Sequence, residues 1–314
     1  MHELISFGEI TLDTIGSSGT PAVEGSAAIL DSLGTCYGGR GANAATFFAL
    51  WWPGTALVSA AGEDFVQAGH RDRLERHGVD CSEVLIEANR PTPRALVFHI
   101  GDIGGVSQTF FHCAADPAAD AVYREHVHRV AATSQSRFLY CTSGRQDLNL
   151  HLLTHLPCDL KAYAPGPQIF HYPRTELEPF LREVDVLFLN RPEADYLRRT
   201  LNMDSAQINR AFRLAFHVVT RGADGCSVHE GRRHTNLPAC RPDALVDPTG
   251  AGDAFAGTFL AEYLQTGDAR AAAQLGLVVS SFVVERVGCQ ENVPGPEQAR
   301  ERLREYAQGQ RSTA

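Results

Sequence analysis

The stretch DPTGAGDAFAGTFLAEYL, Asp247 to Leu264, sets small residues and one carboxylate at the mouth of an apolar helix. The strand-like DALV (243–246) leads into Asp247-Pro248, a turn-former that blocks helix ahead of it, so the helix begins around Gly250 to Asp253. In the first turn of a helix the N–H groups lack intrahelical partners and the dipole is positive. An anion could therefore approach the bare backbone of Gly250, Ala251 and Gly252. Asp253 stands one turn in, where that dipole favours its charged form and sets a proton acceptor beside the anion. A plainer reading fits the same letters: the glycines permit tight packing and Asp253 complements the dipole.

Outward from that turn, apolar runs alternate with helix-length periodic segments. ELISFGEI (3–10) reads as a buried first strand, ANAATFFALWW (42–52) as a helix, TALVSAAG (55–62) as a strand and DFVQAGHRDRLERHG (64–78) as a helix. Residues 14–37 and 92–112 break the pattern with short runs such as RALVFHI and SQTFFHC between Gly- and Pro-rich turns. These predict antiparallel strands outside the main sheet, forming a small β lid. After Pro117 the alternation resumes with helix 118–133, strand RFLYCTS, helix 146–155, strand DLKAY, helix 174–183 and strand VDVLFLN. It continues through RPEADYLRR, SAQINRAFRLA, FHVVTRG and CSVHEG to helices at 251–265, 268–284 and about 296–308. The prediction is an α/β fold: a doubly wound, mainly parallel sheet with helices on both faces plus the lid, one domain over 1–309 with 310–314 as a loose tail.

Composition removes several function classes. The 314 residues are 44% apolar and 21% charged with a net charge of −9, so the chain is globular and lacks the basic face that nucleic acid or an acidic membrane requires. MHELISFGEITLD carries Glu3 and Glu9 where a secretory leader needs a positive end and a long apolar run, and no stretch is apolar enough to span a membrane. A cytoplasmic protein is expected. The only lysine is Lys161, which leaves neither a P-loop nor the strand lysine of a protein kinase. The eight cysteines come no closer than Cys226 and Cys240, so no Cys-x-x-Cys pair exists and most read as small buried residues in a reducing compartment. HLLTH (151–155) lacks the glutamate of a zinc protease, no Gly-x-Ser-x-Gly elbow occurs, and SFGEITLD has no dinucleotide fingerprint.

Three further segments bear on the opening turn. YGGRGANAATFFAL (37–50) puts Gly38, Gly39 and Asn43 at a strand-to-helix junction, where they meet a polar ligand or simply make a glycine turn with an asparagine cap. LFLNRPEADYL (187–197) ends a strand at Asn190 and places Glu193 in the first helical turn, as a dipole partner or as an outer ligand to hydrated magnesium. VVTRGADGCSV (218–228) is a strand, a loop with Gly222 and Gly225, and another strand; alone it is a hairpin.

In this order the motifs GGRGANAA, NRPE, TRGADG, DPTGAGDAF and ERVGCQENVP (285–294) resemble those of the PfkB carbohydrate kinase family, the ribokinase-like kinases, over about residues 3–300. The resemblance implies an ATP-dependent phosphotransferase acting on a hydroxyl of a small sugar, or a nucleoside kinase of the same family. A member of the fold that binds without transferring is the reading from outside the enzymes. The resemblance also implies that Asp253 takes the hydroxyl proton while the γ-phosphate is drawn to the amides of Gly250, Ala251 and Gly252. Asn190, Thr220, Gly222 and Gly225 would line the ATP site, with Mg2+ held through water near Glu193, and Asp247 and Gly288 would be candidates for a monovalent cation such as K+. At the acceptor end Asp13, Gly38, Gly39 and Asn43 would bind the substrate. Ribokinases carry Asn two positions before that Asp, and Thr11 here counts against plain ribose; AYAPGP lacks the Asp-x-Asn-x-Arg of 2-keto-3-deoxygluconate kinases. Arg40 or Arg94 would meet an anionic substrate or lie on the surface, and Phe110 and Phe111 would stack on a base or pack. The lid's strand edges could pair with a second copy to form a homodimer.

Overall fold

Leu4, Phe138, Tyr140, Val186 and Phe188 turn to one face of a sheet, while Ile5, Phe7, Leu139, Cys141, Leu187 and Leu189 turn to the other. That two-residue alternation of wholly apolar strands requires helices on both faces. The computed structural model describes residues 1–21, 27–101, 107–112 and 121–312. Its main sheet runs β14 (Arg233–Leu237), β13 (Cys226–Glu230), β12 (Phe216–Thr220), β11 (Val186–Asn190), β10 (Cys158–Ala164), β9 (Ser136–Thr142), β1 (His2–Phe7), β4 (Thr55–Gly62) and β5 (Val79–Asp80), with β6 (Val84–Glu87) also on β4. Strands from β12 to β5 are parallel, and β13, which pairs antiparallel with both β12 and β14, alone runs against the rest among the described strands of this sheet.

The chain leaves β1 toward β4 on one side and later returns to β9 on the other. The carboxyl ends of these central strands therefore open at the switch of direction, where α/β sheets bind ligands. Helices α4 (Ala121–Thr133), α5 (Gln146–His155), α6 (Arg174–Glu183), α7 (Arg191–Leu201) and α8 (Ser205–Phe212) cover one face; α1 (Arg40–Ala49), α9 (Ala251–Thr266), α10 (Ala269–Val283) and α11 (Pro296–Ser312) cover the other. Local chemistry fixes their ends. Gly267 closes α9 in the left-handed region, and Asp268 accepts from the amides of Arg270 and Ala271 to open α10.

A second sheet, β3 (Ser32–Gly38), β2 (Thr11–Ser18), β7 (Ala95–Ile100) and β8 (Ser107–His112), forms the lid. It departs from expectation in one respect: β2 and β7 pair in parallel, because an entire strand–helix–strand excursion through α1 and β4 separates them. The single helix expected over 64–78 is two, α2 (Asp64–Gln67) and α3 (His70–Arg76), divided where Gly69 turns to φ 80°. The last helix continues through Ser312, so the stretch expected to be a loose tail from 310 is helical for its first residues. Among the described residues no helix is long and apolar enough to cross a membrane.

Two buried histidines give this fold an acid limit. Burial, with Arg73 beside His70 and with His229 and His234 beside His217, holds both imidazoles down at about 3. They stay neutral in the folded chain while the unfolded chain protonates them below pH 6.5, so stability falls as pH falls through that window. Together they should remove about 4 kcal/mol between pH 7 and pH 5. Asp13, whose carboxyl burial raises to about 6, acts in the opposite sense, returning about 1 kcal/mol. Denaturant titrations at the two pH values measure the difference; equal midpoints would show that these rings are solvated.

Candidate active site

Asn190 and the Thr220–Gly225 loop follow the carboxyl ends of strands, and Asp13 and Gly38 belong to the lid, but the turn into α9 follows no strand, since DALV (243–246), read as strand-like, is irregular, and the Gly288 loop follows α10. Gly38 ends β3 opposite Thr11, and Asp13 lies two residues along β2. A Cβ on Gly38 would fall 2.1 Å from Asp13 Oδ2 and 2.8 Å from Thr11 Oγ1, so only glycine leaves room for that carboxylate. Asp13 is 8% exposed, its Oδ1 has no hydrogen-bond partner among the described residues, and burial lifts the carboxyl to about 6 against the hydrogen bond from Thr11. A buried acceptor without a donor is costly, and a ligand hydroxyl would satisfy it. Gly39 forms the N-cap of α1 at φ 98° and brings Arg40 and Asn43 to face α9.

Asp253 is the third residue of α9 and is 6% exposed. Arg40 Nε donates to its Oδ1 at 3.1 Å and Asn43 Nδ2 to its Oδ2 at 3.2 Å. Burial raises its carboxyl above the ordinary range and outweighs Arg40 and Asn43, so the direction is opposite to the one expected from the helix dipole alone. A carboxyl raised toward neutrality is the better proton acceptor. Gly250 caps the helix at φ 76°; its amide and that of Gly252 make no hydrogen bond among the described residues, while Ala251 N donates to Pro248 O at 3.3 Å. The anion cradle expected at three amides is thus offered mainly by two.

Asn190 and Glu193 form a capping box at the start of α7. Glu193 N donates to Asn190 Oδ1 at 2.9 Å, while Asn190 N and Nδ2 donate to Oε2 and Oε1 of Glu193 at 2.9 and 2.8 Å. Glu193 is 5% exposed, and its carboxyl is raised by burial and lowered in turn by Arg40. With both oxygens accepting, Glu193 suits a magnesium that keeps its waters and arrives on phosphates, and no cluster of three acidic, His or Cys ligands exists among the described residues to hold one directly. Thr220 pairs with Asn190 across β11 and β12. The loop behind it turns through Gly222–Asp224 and closes with Arg221 N donating to Gly225 O at 2.7 Å, leaving Gly222 exposed and Gly225 buried. Asp247 and Gly288 come together, with Gly288 N donating to Asp247 Oδ2 at 2.8 Å.

Several residues entered the site unannounced. Arg40 was expected to meet an anionic substrate or solvent, but its partner is Asp253; Arg94 pairs with Asp64 at 3.4 Å. Gln290, fully buried, donates Nε2 to Asn43 Oδ1 at 3.0 Å and so fixes the amide that faces Asp253. Glu9, which spoke only against a leader, accepts from Ser143 Oγ at 2.8 Å beside a small cavity lined with Ser59, Pro93 and Tyr123. Only its place after the first strand could have pointed to it.

A ribokinase-type fold with a buried acid at a glycine-lined helix start defines a small-molecule kinase. The chain belongs to the pfkB family carbohydrate kinases, whose family model matches residues 1–296. It is 29% identical over 272 residues to the nucleoside kinase of Methanothermobacter thermautotrophicus, covering 85% of this chain and 84% of that protein. The nucleoside kinase of Methanocaldococcus jannaschii is 26% identical over 279 residues, covering 86% of each. The crystal structure of the Methanocaldococcus jannaschii nucleoside kinase superposes with a TM-score of 0.83 at 23% identity, over 97% of this chain and 99% of that one. A Burkholderia thailandensis nucleoside kinase in complex with inosine superposes at 0.82 and 17% identity, over 96% and 97%.

Proposed function

We propose that the chain transfers the γ-phosphate of ATP to a hydroxyl of a nucleoside. The observation that carries the chemistry is Asp253, buried, raised by burial and held by Arg40 and Asn43 next to two glycine amides that have no partner among the described residues. In this reading Asp253 accepts the hydroxyl proton while Gly250 and Gly252 donate to the phosphoryl oxygens, and Asp13 orients the acceptor through its free Oδ1. Thr220 and Gly222 border the nucleotide. Magnesium, carried on the ATP and reached from Asn190 and Glu193 through water, would neutralise phosphate charge.

The nucleoside is favoured over a free sugar by the two archaeal relatives, which are nucleoside kinases over some 85% of this chain, and by the lid. Phe110 and Phe111 stand 47% and 55% exposed on β8 and, as neighbours on one strand, face opposite sides of the lid, so one of the two rings is free to stack on a base. Thr11 at the position of the ribokinase Asn points the same way. A panel of nucleosides, pentoses and hexoses assayed for ADP release should give at least one nucleoside a kcat/KM about 10²-fold above that of ribose, the worth of roughly 3 kcal/mol of extra contact. Ribose turning over as well as every nucleoside would overturn the assignment.

A further inference from the structure

Asp247 opens the turn into α9 and is 1% exposed. Its Oδ1 accepts from Thr249 N at 2.8 Å, and its Oδ2 from Gly288 N at 2.8 Å. The remaining approach to Oδ1 is filled from the lid, where His99 of β7 places Nε2 3.2 Å away. His99 is 8% exposed, and neither ring nitrogen has an aligned hydrogen-bond partner among the described residues. The imidazole thus stands against a buried carboxylate. Across the β7–β8 pair from His99, Gln108 Nε2 donates to Thr249 Oγ1 at 3.1 Å, so the lid touches this turn twice.

The loop after α10 is satisfied in the same manner. The carbonyl of Gln290 accepts from the Arg73 guanidinium, which also pairs with Glu291 at 3.4 Å. A hard cation needs several oxygen ligands with lone pairs directed at it. At Asp247 two amides and an imidazole already occupy three of the carboxylate's approaches, and the loop carbonyl of Gln290 faces a guanidinium, so few lone pairs are left to surround a monovalent cation.

We propose that His99, carried on the lid, takes at Asp247 the place the family resemblance assigns to a monovalent cation, so that lid contact and not K+ sets the turn into α9. Gly250 and Gly252 belong to that turn, and Asp13 belongs to the lid. His99 therefore acts as a positioning residue linking the acceptor end to the phosphate end. The activity arm of the test rests on the kinase reading; the melting arm, on ligand-free protein, does not.

The test compares KCl with tetramethylammonium chloride at equal ionic strength, reading the melting midpoint of the ligand-free protein and the rate of ADP release. The unsubstituted protein should show the same midpoint in both salts and rates equal within about twofold. His99→Ala should be slower by about tenfold in tetramethylammonium, recover in KCl, and gain a midpoint that rises with K+. Gln108→Ala, which cuts the other lid contact and leaves Asp247 covered, should remain indifferent to K+. K+ raising the rate or midpoint of the unsubstituted protein would overturn the proposal, as would a folded His99→Ala that ignores K+. Should His99→Ala not fold, the unsubstituted protein still decides, and His99→Gln, which keeps a donor there, should also ignore K+. Loss of ADP release for every acceptor with the midpoints behaving as stated would sink the kinase reading alone.

Discussion

Asp253→Asn should lower kcat by about 10²- to 10⁴-fold, or roughly 3 to 5 kcal/mol of barrier, with little change in KM for either substrate. The substitution keeps the shape of the side chain and its place at the helix start while removing the capacity to accept a proton. Its effect should therefore fall on the chemical step, because an interaction lost only in the transition state lowers kcat and kcat/KM together. A second signature comes from the raised carboxyl. In the unsubstituted enzyme kcat/KM should fall on acidification along a limb lying above the ordinary carboxylate range, because burial raises Asp253 and protonation removes the base. Asp253→Asn should lose its share of that limb and keep the share set by Asp13, whose carboxyl burial raises to about 6. The Arg40 guanidinium, whose charge Asp253 sustains against burial, loses its counter-ion in the variant, so a lower melting midpoint is expected as well. The kinetic and thermal effects separate cleanly: Arg40→Gln should reproduce part of the instability while keeping the acidic limb. Near-normal turnover in Asp253→Asn would remove Asp253 from the reaction.

What the sequence made legible follows from how local each feature is. Helices 146–155 and 174–183 lie where the apolar period places them, and the Asn190–Glu193 cap is written in NRPE itself, three residues apart. The lid's strands were visible as alternating runs, but alternation carries no direction, so the parallel pairing of β2 with β7 was not. β14 escaped notice because RHTNL is an edge strand with mostly exposed side chains and no apolar period to read. Within the site, the glycines and Asp253 announced themselves by composition at a helix start. The partners of Asp253 did not, since Arg40 and Asn43 lie more than two hundred residues away and meet it only because α1 and α9 pack together over the same sheet face. Burial of Asp253 reversed the expected direction of its proton affinity for the same reason: desolvation is a property of the packed neighbours, and one sequence does not display them.

The two glycines on either side of Ala251 should respond to alanine in opposite ways. At Gly250 the backbone sits at φ 76°, and a Cβ would lie 2.2 Å from Cys289 Sγ and 3.3 Å from Asn43 Nδ2. Left-handed strain costs about 1–2 kcal/mol and overpacking about 1–3 more, so Gly250→Ala should lose about 2–5 kcal/mol and lower the melting midpoint by about 5–15 °C. Activity should fall with it, since the displaced Asn43 is a hydrogen-bond donor to Asp253. Gly252 has an ordinary backbone, and a Cβ there meets no atom within 4 Å. Gly252→Ala should leave the midpoint unchanged or slightly higher, alanine being the better helix former by up to about 1 kcal/mol. If the phosphoryl group approaches the backbone there as proposed, the methyl would stand in its way, so kcat/KM should drop by about 10²-fold. Opposed signatures at neighbouring glycines distinguish a phosphate cradle from a helix start that is merely tightly packed: packing alone predicts damage at Gly250 and none at Gly252. Full activity in Gly252→Ala, measured beside an unchanged midpoint, would mean that the transferred group passes elsewhere.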